Sequence, residues 1–469
     1  MIQRIEKDVL GEVKILEDAY YGITTQRVLQ DFKISGLKMN PKFLEAYIIL
    51  KKACILANMK IGIIDPNLGN PIVQASDEIL NGKLRDQFNI DAFQMGAGTS
   101  FNMNCNEVLA NRANEILGSK KGDYKPIHPK DHVNMSQSTN DTFPTAMRIA
   151  ILLKLKDLDT ELKKLEKSFK KKSKQFDDII KAGRTHLQDA VPIRLGQEFK
   201  AYGQTISKNR ITILKAGDSC REIGIGGSAT GTGLNTKIGY REEVLYQLNQ
   251  MTGLNLKQAE DLREIMQSQS AVAEVSAALR NLALDLIRIS NDLRLISSGP
   301  TSGLAEIRLP ATVEGSSIMP GKINPSILEM LGMVSFQVVG NDLTISMAVQ
   351  AGQLELNVMM PVMAFNILFS IEILTNAIHQ TRIRCIEGIE ADEKKCKHYA
   401  DTTLGLATIL NPIIGYKKAA EIVNRALKEE KTILAVIRET KILSEEDITR
   451  LLNPVKMTKP PPTQNKKKN

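Results

Sequence analysis

Between residues 145 and 182 the chain carries neither glycine nor proline. Within that stretch Ile151, Leu155, Leu158, Leu162, Leu165 and Phe169 recur in alternating steps of four and three. That is the a/d spacing of a long helix with one apolar stripe. The segment 254–298 again lacks both residues, and Val272, Val275, Leu279, Leu282, Leu286, Ile289, Leu293 and Ile296 repeat the spacing. Further long helices are expected over about 326–350 and about 353–387, the last kinked at Pro361. At 1.5 Å per residue, helices of this size reach roughly 50 Å. They cannot bury their stripes in a small globule, so the pattern predicts a helical bundle. One chain seldom covers every such face, which predicts a homo-oligomer.

The flanks read differently. Residues 1–140 are mixed, with turn signals at "DPNLGNP" (65–71), "GAG" (96–98) and "GSKKGDYKPIHPKD" (118–131), and short helical patches at 41–60 and 103–117. Residues 395–455 carry shorter helices, clearest in "GYKKAAEIVNRALKEE" and in "SEEDITRLLN", which opens on a serine cap and two glutamates. The end, "TKPPPTQNKKKN", has the composition of a disordered basic tail. The expected division is 1–140, 141–394 and 395–469, in a mainly all-α chain without internal repeats.

The 469 residues hold 42% hydrophobic side chains but only 4% aromatic ones and no tryptophan. The core must be largely aliphatic, which suits helix-on-helix packing. The net charge of +9 admits nucleic acid, an acidic membrane surface or an anionic substrate as partner. Much of that excess sits in "KKLEKSFKKKSK" (163–174) and "TQNKKKN" (463–469), and a charge run on a helix is ordinarily a solvated face. Nucleic acid and membrane are therefore not expected partners. The cysteines at 54, 105, 220, 385 and 396 are odd in number and widely spaced, which fits reduced thiols in the cytoplasm. No secretory leader, membrane span or metal-ligand spacing of the five histidines is evident in the sequence, so neither metal nor cofactor is expected.

Four polar stretches interrupt the helical pattern. "GAGTSFNMN" (96–104) places Thr99 and Ser100 where a helix should start, an arrangement that serves either as a cap or as an anion site. "NMSQSTNDTFPT" (134–145) gathers Ser136, Ser138, Thr139, Asn140, Asp141 and Thr142, more short polar groups than one cap requires. "GRTHLQDAVP" (183–192) sets Thr185 and His186 after a glycine expected to end a helix; the histidine serves either structure or proton transfer. "GSSIMPGKINP" (315–325) joins Ser316 and Ser317 to Lys322 and Asn324 between turn formers. Neutral donors with one lysine and one histidine suit a small, multiply charged oxygen anion. No phosphate-binding glycine loop or dinucleotide fingerprint accompanies them.

These motifs resemble the aspartase/fumarase superfamily. "GSSIMPGKINP" is similar to its signature loop, and "DAYYGITTQRVLQDF", "GAGTSFNMNCNEVLANR", "HVNMSQSTNDTFPTAMRIA", "GRTHLQDAVPIRLGQEF", "GTGLNT", "NDLRLISSGP" and "AGQLELNV" follow in family order. "GAGTSFNMN", "QSTND" and "AGQLELNV" resemble the aspartate ammonia-lyase branch. Met360 and "IGGSATGTGLNT" look more like the fumarase branch, the class II fumarate hydratases. The resemblance implies three mostly helical domains, a homotetramer with a twenty-helix core, active sites shared between subunits, and reversible β-elimination of fumarate without an organic cofactor. It implies Ser316 as the base and Thr99, Ser138, Thr139, Thr185 and Ser317 as donors to the β-carboxylate of L-aspartate. Lys322 and Asn324 would hold the α-carboxylate, and Asn140 and His186 would orient the amino group. Gly315 and Gly321 suit a loop that closes over the substrate.

Overall fold

The computed structural model describes residues 2–459; the basic tail from Pro460 onward lies outside them. In chain order, a hairpin of β1 (Gln3–Asp8) and β2 (Gly11–Leu16) leads into α1 (Ile23–Asp31), α2 (Pro41–Lys60), α3 (Pro66–Leu80) and α4 (Thr99–Ile116). The 37-residue α5 (Thr139–Gln175) follows. Next come the hairpin of β3 (Ile180–Thr185) and β4 (Gln188–Arg194) and the helix α6 (Leu195–Asp218). A short parallel pairing joins β5 (Glu222–Ile223) to β6 (Lys257–Gln258) on either side of α7 (Tyr240–Thr252). Then α8 (Glu264–Gln267) precedes α9 (Ser270–Ile296). β7 (Ile307–Arg308), α10 (Ser326–Gln350), α11 (Met360–Arg384), β8 (Glu390–Ala391) and α12 (Glu393–Thr402) follow, and the chain continues in the short helices α13 (Asn411–Ile414), α14 (Tyr416–Lys428), α15 (Ile433–Thr440) and α16 (Glu445–Leu451). The protein is mainly α, with four two-stranded sheets among the described residues.

The apolar stripes lie where the spacing predicts. Every one of Ile151, Leu155, Leu158, Leu162, Leu165 and Phe169 on α5 is buried, as is the full series from Val272 to Ile296 on α9. Ser444 caps α16 by accepting from Asp447 N at 3.1 Å.

Several expectations need correction. Pro361 kinks nothing: it is the second residue of α11, where a proline lacks no needed donor. Pro144 lies inside α5 instead of preceding it, because the helix is capped upstream at Ser138. The turn signals at 65–71 mostly belong to α3, whose N-cap Asp65 accepts from Asn67 N at 2.8 Å. Gly183 ends no helix; α5 stops at Gln175 and Gly183 sits in β3 at a bulge. A Cβ there would lie 2.5 Å from Val191 O, so the close strand approach requires glycine. Finally, among the described residues one helix, Met360–Gly388, is long and apolar enough to cross a membrane, but 61% of its most apolar window is buried inside the fold, as in a core helix.

The chain divides into two compact units. The first comprises Met1–Thr160, Asn209–Leu284 and Val334–Asn376; the second comprises Glu161–Lys208, Asp285–Met333 and Ala377–Asn469. In the first, four rings from α2, α4 and α5 knit the starts of these three helices together. Phe43 lies 5.1 Å from Phe101 and 4.8 Å from Phe143, and Tyr47 lies 5.3 Å from Phe101. Gly98, at φ 83°, is the N-cap of α4, and a Cβ on it would meet the Phe143 ring at 2.0 Å. Glycine thus lets the start of α4 approach α5. In the second unit, fully buried Glu306 holds β3 through Lys181 and Arg184, each at 2.8 Å. Leu406, Ile422, Val436, Ile437 and Ile448 form a separate apolar cluster near the C-terminus.

Candidate active site

The first unit brings the "GAGTSFNMN" and "NMSQSTNDTFPT" segments together. Thr99 is the first residue of α4 and is half-buried; Thr139 is the first of α5 and is buried. Asn102, one turn into α4, donates through Nδ2 to Thr139 Oγ1 at 2.9 Å and to Asn134 Oδ1 at 3.2 Å. A hydroxyl has one proton, so accepting from Asn102 leaves the Thr139 O–H to donate elsewhere.

Ser138 is both cap and candidate donor. Its Oγ accepts from Asn140 N at 3.2 Å, and its own N–H donates to Asp141 Oδ1 at 2.9 Å. That reciprocal exchange is a capping box, and it leaves the Ser138 hydroxyl proton unspoken for. Asn140 donates from Nδ2 to Ala229 O at 2.8 Å.

Sequence reasoning left Asp141 and Lys51 out of the site. Asp141 is fully buried and accepts from Gly226 N at 3.1 Å and Ser228 N at 2.9 Å as well as from Ser138. Burial pushes its carboxyl up to about 7, against the pull of those N–H donors. The loop 226–229 is therefore fastened to the head of α5. The fumarase-like segment "IGGSATGTGLNT" thus abuts Asn140 and Asp141. Met360, the other fumarase-like position, is fully buried in the core. Lys51 is fully buried too, and donates to Asn134 Oδ1 at 3.0 Å and Gln137 Oε1 at 2.9 Å. Burial draws its ammonium down to about 8.

The second unit carries the remaining candidates on two segments. Thr185 ends β3, and His186 and Leu187 form the hairpin turn with φ 54° and 59°. Both Thr185 and His186 are exposed at this tip. The signature loop folds on itself. Gly315 N donates to Lys322 O at 3.0 Å, and Asn324 Nδ2 donates to Gly315 O. A Cβ at Gly315 would lie 2.3 Å from Lys322 O, so this closure requires glycine. Inside the loop, Ser316 Oγ accepts from Ile318 N at 3.2 Å and Met319 N at 2.8 Å. Ser317 and Lys322 are exposed, and the loop borders a cavity of 640 Å³. Among the described residues no hydrogen bond links the hairpin tip to this loop. Nor do three or more His, Cys, Asp or Glu side chains gather there as metal ligands.

The first unit thus gathers hydroxyls and amides at two helix starts, and the second holds a serine oxygen between backbone N–H groups. The lyase family matches residues 11–340, and the fumarase C C-terminal family matches residues 406–459. The chain belongs to the aspartase/fumarase superfamily of lyases. It is 48% identical over 457 residues to the aspartate ammonia-lyase of Bacillus subtilis (strain 168), covering 97% of this chain and 96% of that protein. It is 43% identical over 449 residues to the Escherichia coli (strain K12) aspartate ammonia-lyase, covering 95% and 94%. The crystal structure of fumarate lyase:delta crystallin from Brucella melitensis bound to cobalt superposes with a TM-score of 0.94 at 45% identity, covering 98% of this chain and all of that one. Recombinant class II fumarase from Schistosoma mansoni gives 0.94 at 36% identity, over 97% and 99%.

Proposed function

We propose that this chain is an aspartate ammonia-lyase, a carbon–nitrogen lyase that converts L-aspartate reversibly to fumarate and ammonia by β-elimination. The observation that carries the reading is Ser316. Two backbone N–H groups converge on its Oγ. Such donors stabilise an alkoxide and lower the pKa of a hydroxyl that is otherwise a poor base.

Ser316 Oγ takes the Cβ proton. The electron pair left behind spreads into the β-carboxylate as an aci-carboxylate, then re-forms as the carbon–carbon double bond as the C–N bond breaks and the amine leaves. Preset donors meet that dianionic end: Thr99, Ser138, Thr139, Thr185 and Ser317. The uncommitted hydroxyl protons of Ser138 and Thr139 support their place in this set. Lys322 and Asn324 anchor the α-carboxylate, and Asn140 and His186 orient the leaving amine. The three-part division at 1–140, 141–394 and 395–469 belongs to the same reading.

The working form is a homotetramer with a twenty-helix core and active sites shared between subunits. α10 supports this: Met333, Phe336, Leu343 and Met347 are 63%, 61%, 66% and 57% exposed, in the three-and-four spacing of a helix seam. Five free, buried cysteines support a reducing, cytoplasmic setting.

The high likeness to a class II fumarase favours one rival, fumarate hydration. Incubation with fumarate and ammonia, and separately with fumarate in water, distinguishes them. Aspartate without malate is expected; malate from water alone would overturn the assignment.

A further inference from the structure

The lysine-rich run 163–174 has no part in the proposed reaction, and it is more than a solvated face. It lines a cleft of 1130 Å³ together with Lys200 from α6 and Arg382 from α11. Seven lysines and one arginine border this cleft, against only Asp177 and Glu387. Both acids are already engaged: Asp177 pairs with Arg194 at 2.6 Å, and Glu387 with Arg382 at 2.7 Å. Lys164 and Lys170 pair with Glu161 and Glu166 on their own helix.

Lys167, Lys171, Lys174 and Lys200 are exposed and form no ion pair among the described residues. The first three lie at i, i+4 and i+7 of α5, so they stand in one row, neighbours about 5–6 Å apart. Beneath the row, Lys172 is buried and donates to Ile389 O at 2.6 Å. Like charges at this spacing repel, so the row weakens the helix unless an anion offsets it.

The lining also says what the anion is not. It contains lysine, serine, glutamine, arginine, aspartate and glutamate, with no aromatic and no aliphatic side chain. The lining offers no aromatic ring for a nucleobase to stack on and no aliphatic residue to receive an acyl chain. A row of cations in a cleft lined only by polar and charged residues suits a linear anion that is charged along its length.

We propose that this cleft is a binding site for a linear oligophosphate, held by Lys167, Lys171, Lys174 and Lys200. The test is calorimetric titration of the full chain with inorganic phosphate, tripolyphosphate and a longer linear polyphosphate at several salt concentrations. Saturable binding that strengthens with chain length and weakens steeply with salt is expected. Lys167→Glu with Lys171→Glu should lower tripolyphosphate affinity at least about tenfold, with helical content unchanged by circular dichroism. Lys417→Glu with Lys418→Glu, exposed on α14 and equal in charge change, should leave it nearly unchanged. Equal losses in the two variants would show a general charge effect and overturn the site. So would undiminished binding in the first variant, which points to the C-terminal lysines. An oligoribonucleotide of equal phosphate count binding as tightly would overturn the choice of ligand.

Discussion

Thr139 and Ser316 both present a hydroxyl assigned to one substrate, yet they are held in opposite ways. Thr139 is buried at the head of α5, and its oxygen is fixed by Asn102 from a neighbouring helix. Around it stand Ser138, bonded to Asp141 within the first turn, and the 226–229 loop, tied to Asn140 and Asp141 by long-range bonds. Ser316 stands in a largely exposed segment, and its two donors come from residues two and three places on. The first region is preorganised by the core of its unit. The second carries its own organisation, so it can change position without losing the arrangement around the base.

The sharpest way to separate the two is Ser316→Ala. Turnover should fall by about 10³-fold or more, with the thermal midpoint unchanged, because no core contact is lost. Near-normal turnover in the folded variant would remove Ser316 as base. Asp141→Ala should act in the opposite sense. It leaves the N–H groups of Ser138, Gly226 and Ser228 without their acceptor and should cost about 3 kcal/mol of stability in chemical denaturation. If stability is unchanged, the preorganisation of this region has another source.

Gly315→Ala comes next. The added carbon meets the Lys322 carbonyl, so the loop must open; turnover should drop about tenfold, again with little change in denaturation midpoint. The smallest effect concerns Lys51. Burial holds its folded-state ammonium at about 8, below the ordinary lysine value of 10.5. Between these values the unfolded chain binds more protons, so stability rises with pH from 8 to 10.5. Lys51→Met should flatten that rise, read from urea midpoints across the range.

Sequence alone revealed the long helices because their stripes repeat over many turns, and a repeat is hard to counterfeit. Thr99 at a helix start and Ser138 near one were legible through cap chemistry. The β3–β4 hairpin was not. Its turn is His186–Leu187, two left-handed non-glycine residues, where the recognisable signal is Asn-Gly or Asp-Gly. A short strand after a 37-residue helix also reads as a fraying helix end. Asn102 and Lys51 were missed for a different reason. Each is an ordinary polar residue on a helix, and only packing decides which face it occupies. Asp141 was visible as a polar neighbour, but its hold on residues 226 and 228 is a contact across 85 and 87 positions, which no local pattern encodes.

The bond from Asn324 to the Gly315 carbonyl closes residues 315–324 into a ring. An amide nitrogen carries two protons, and this bond engages one; the other is available to a carboxylate. The residues proposed as anchor and base are thus tied together by one hydrogen bond next to Ser316. The loop behaves as a ruler. A homologue of aspartate longer by one methylene can satisfy the anchor or offer its acidic carbon to Ser316, but the ring cannot stretch to allow both.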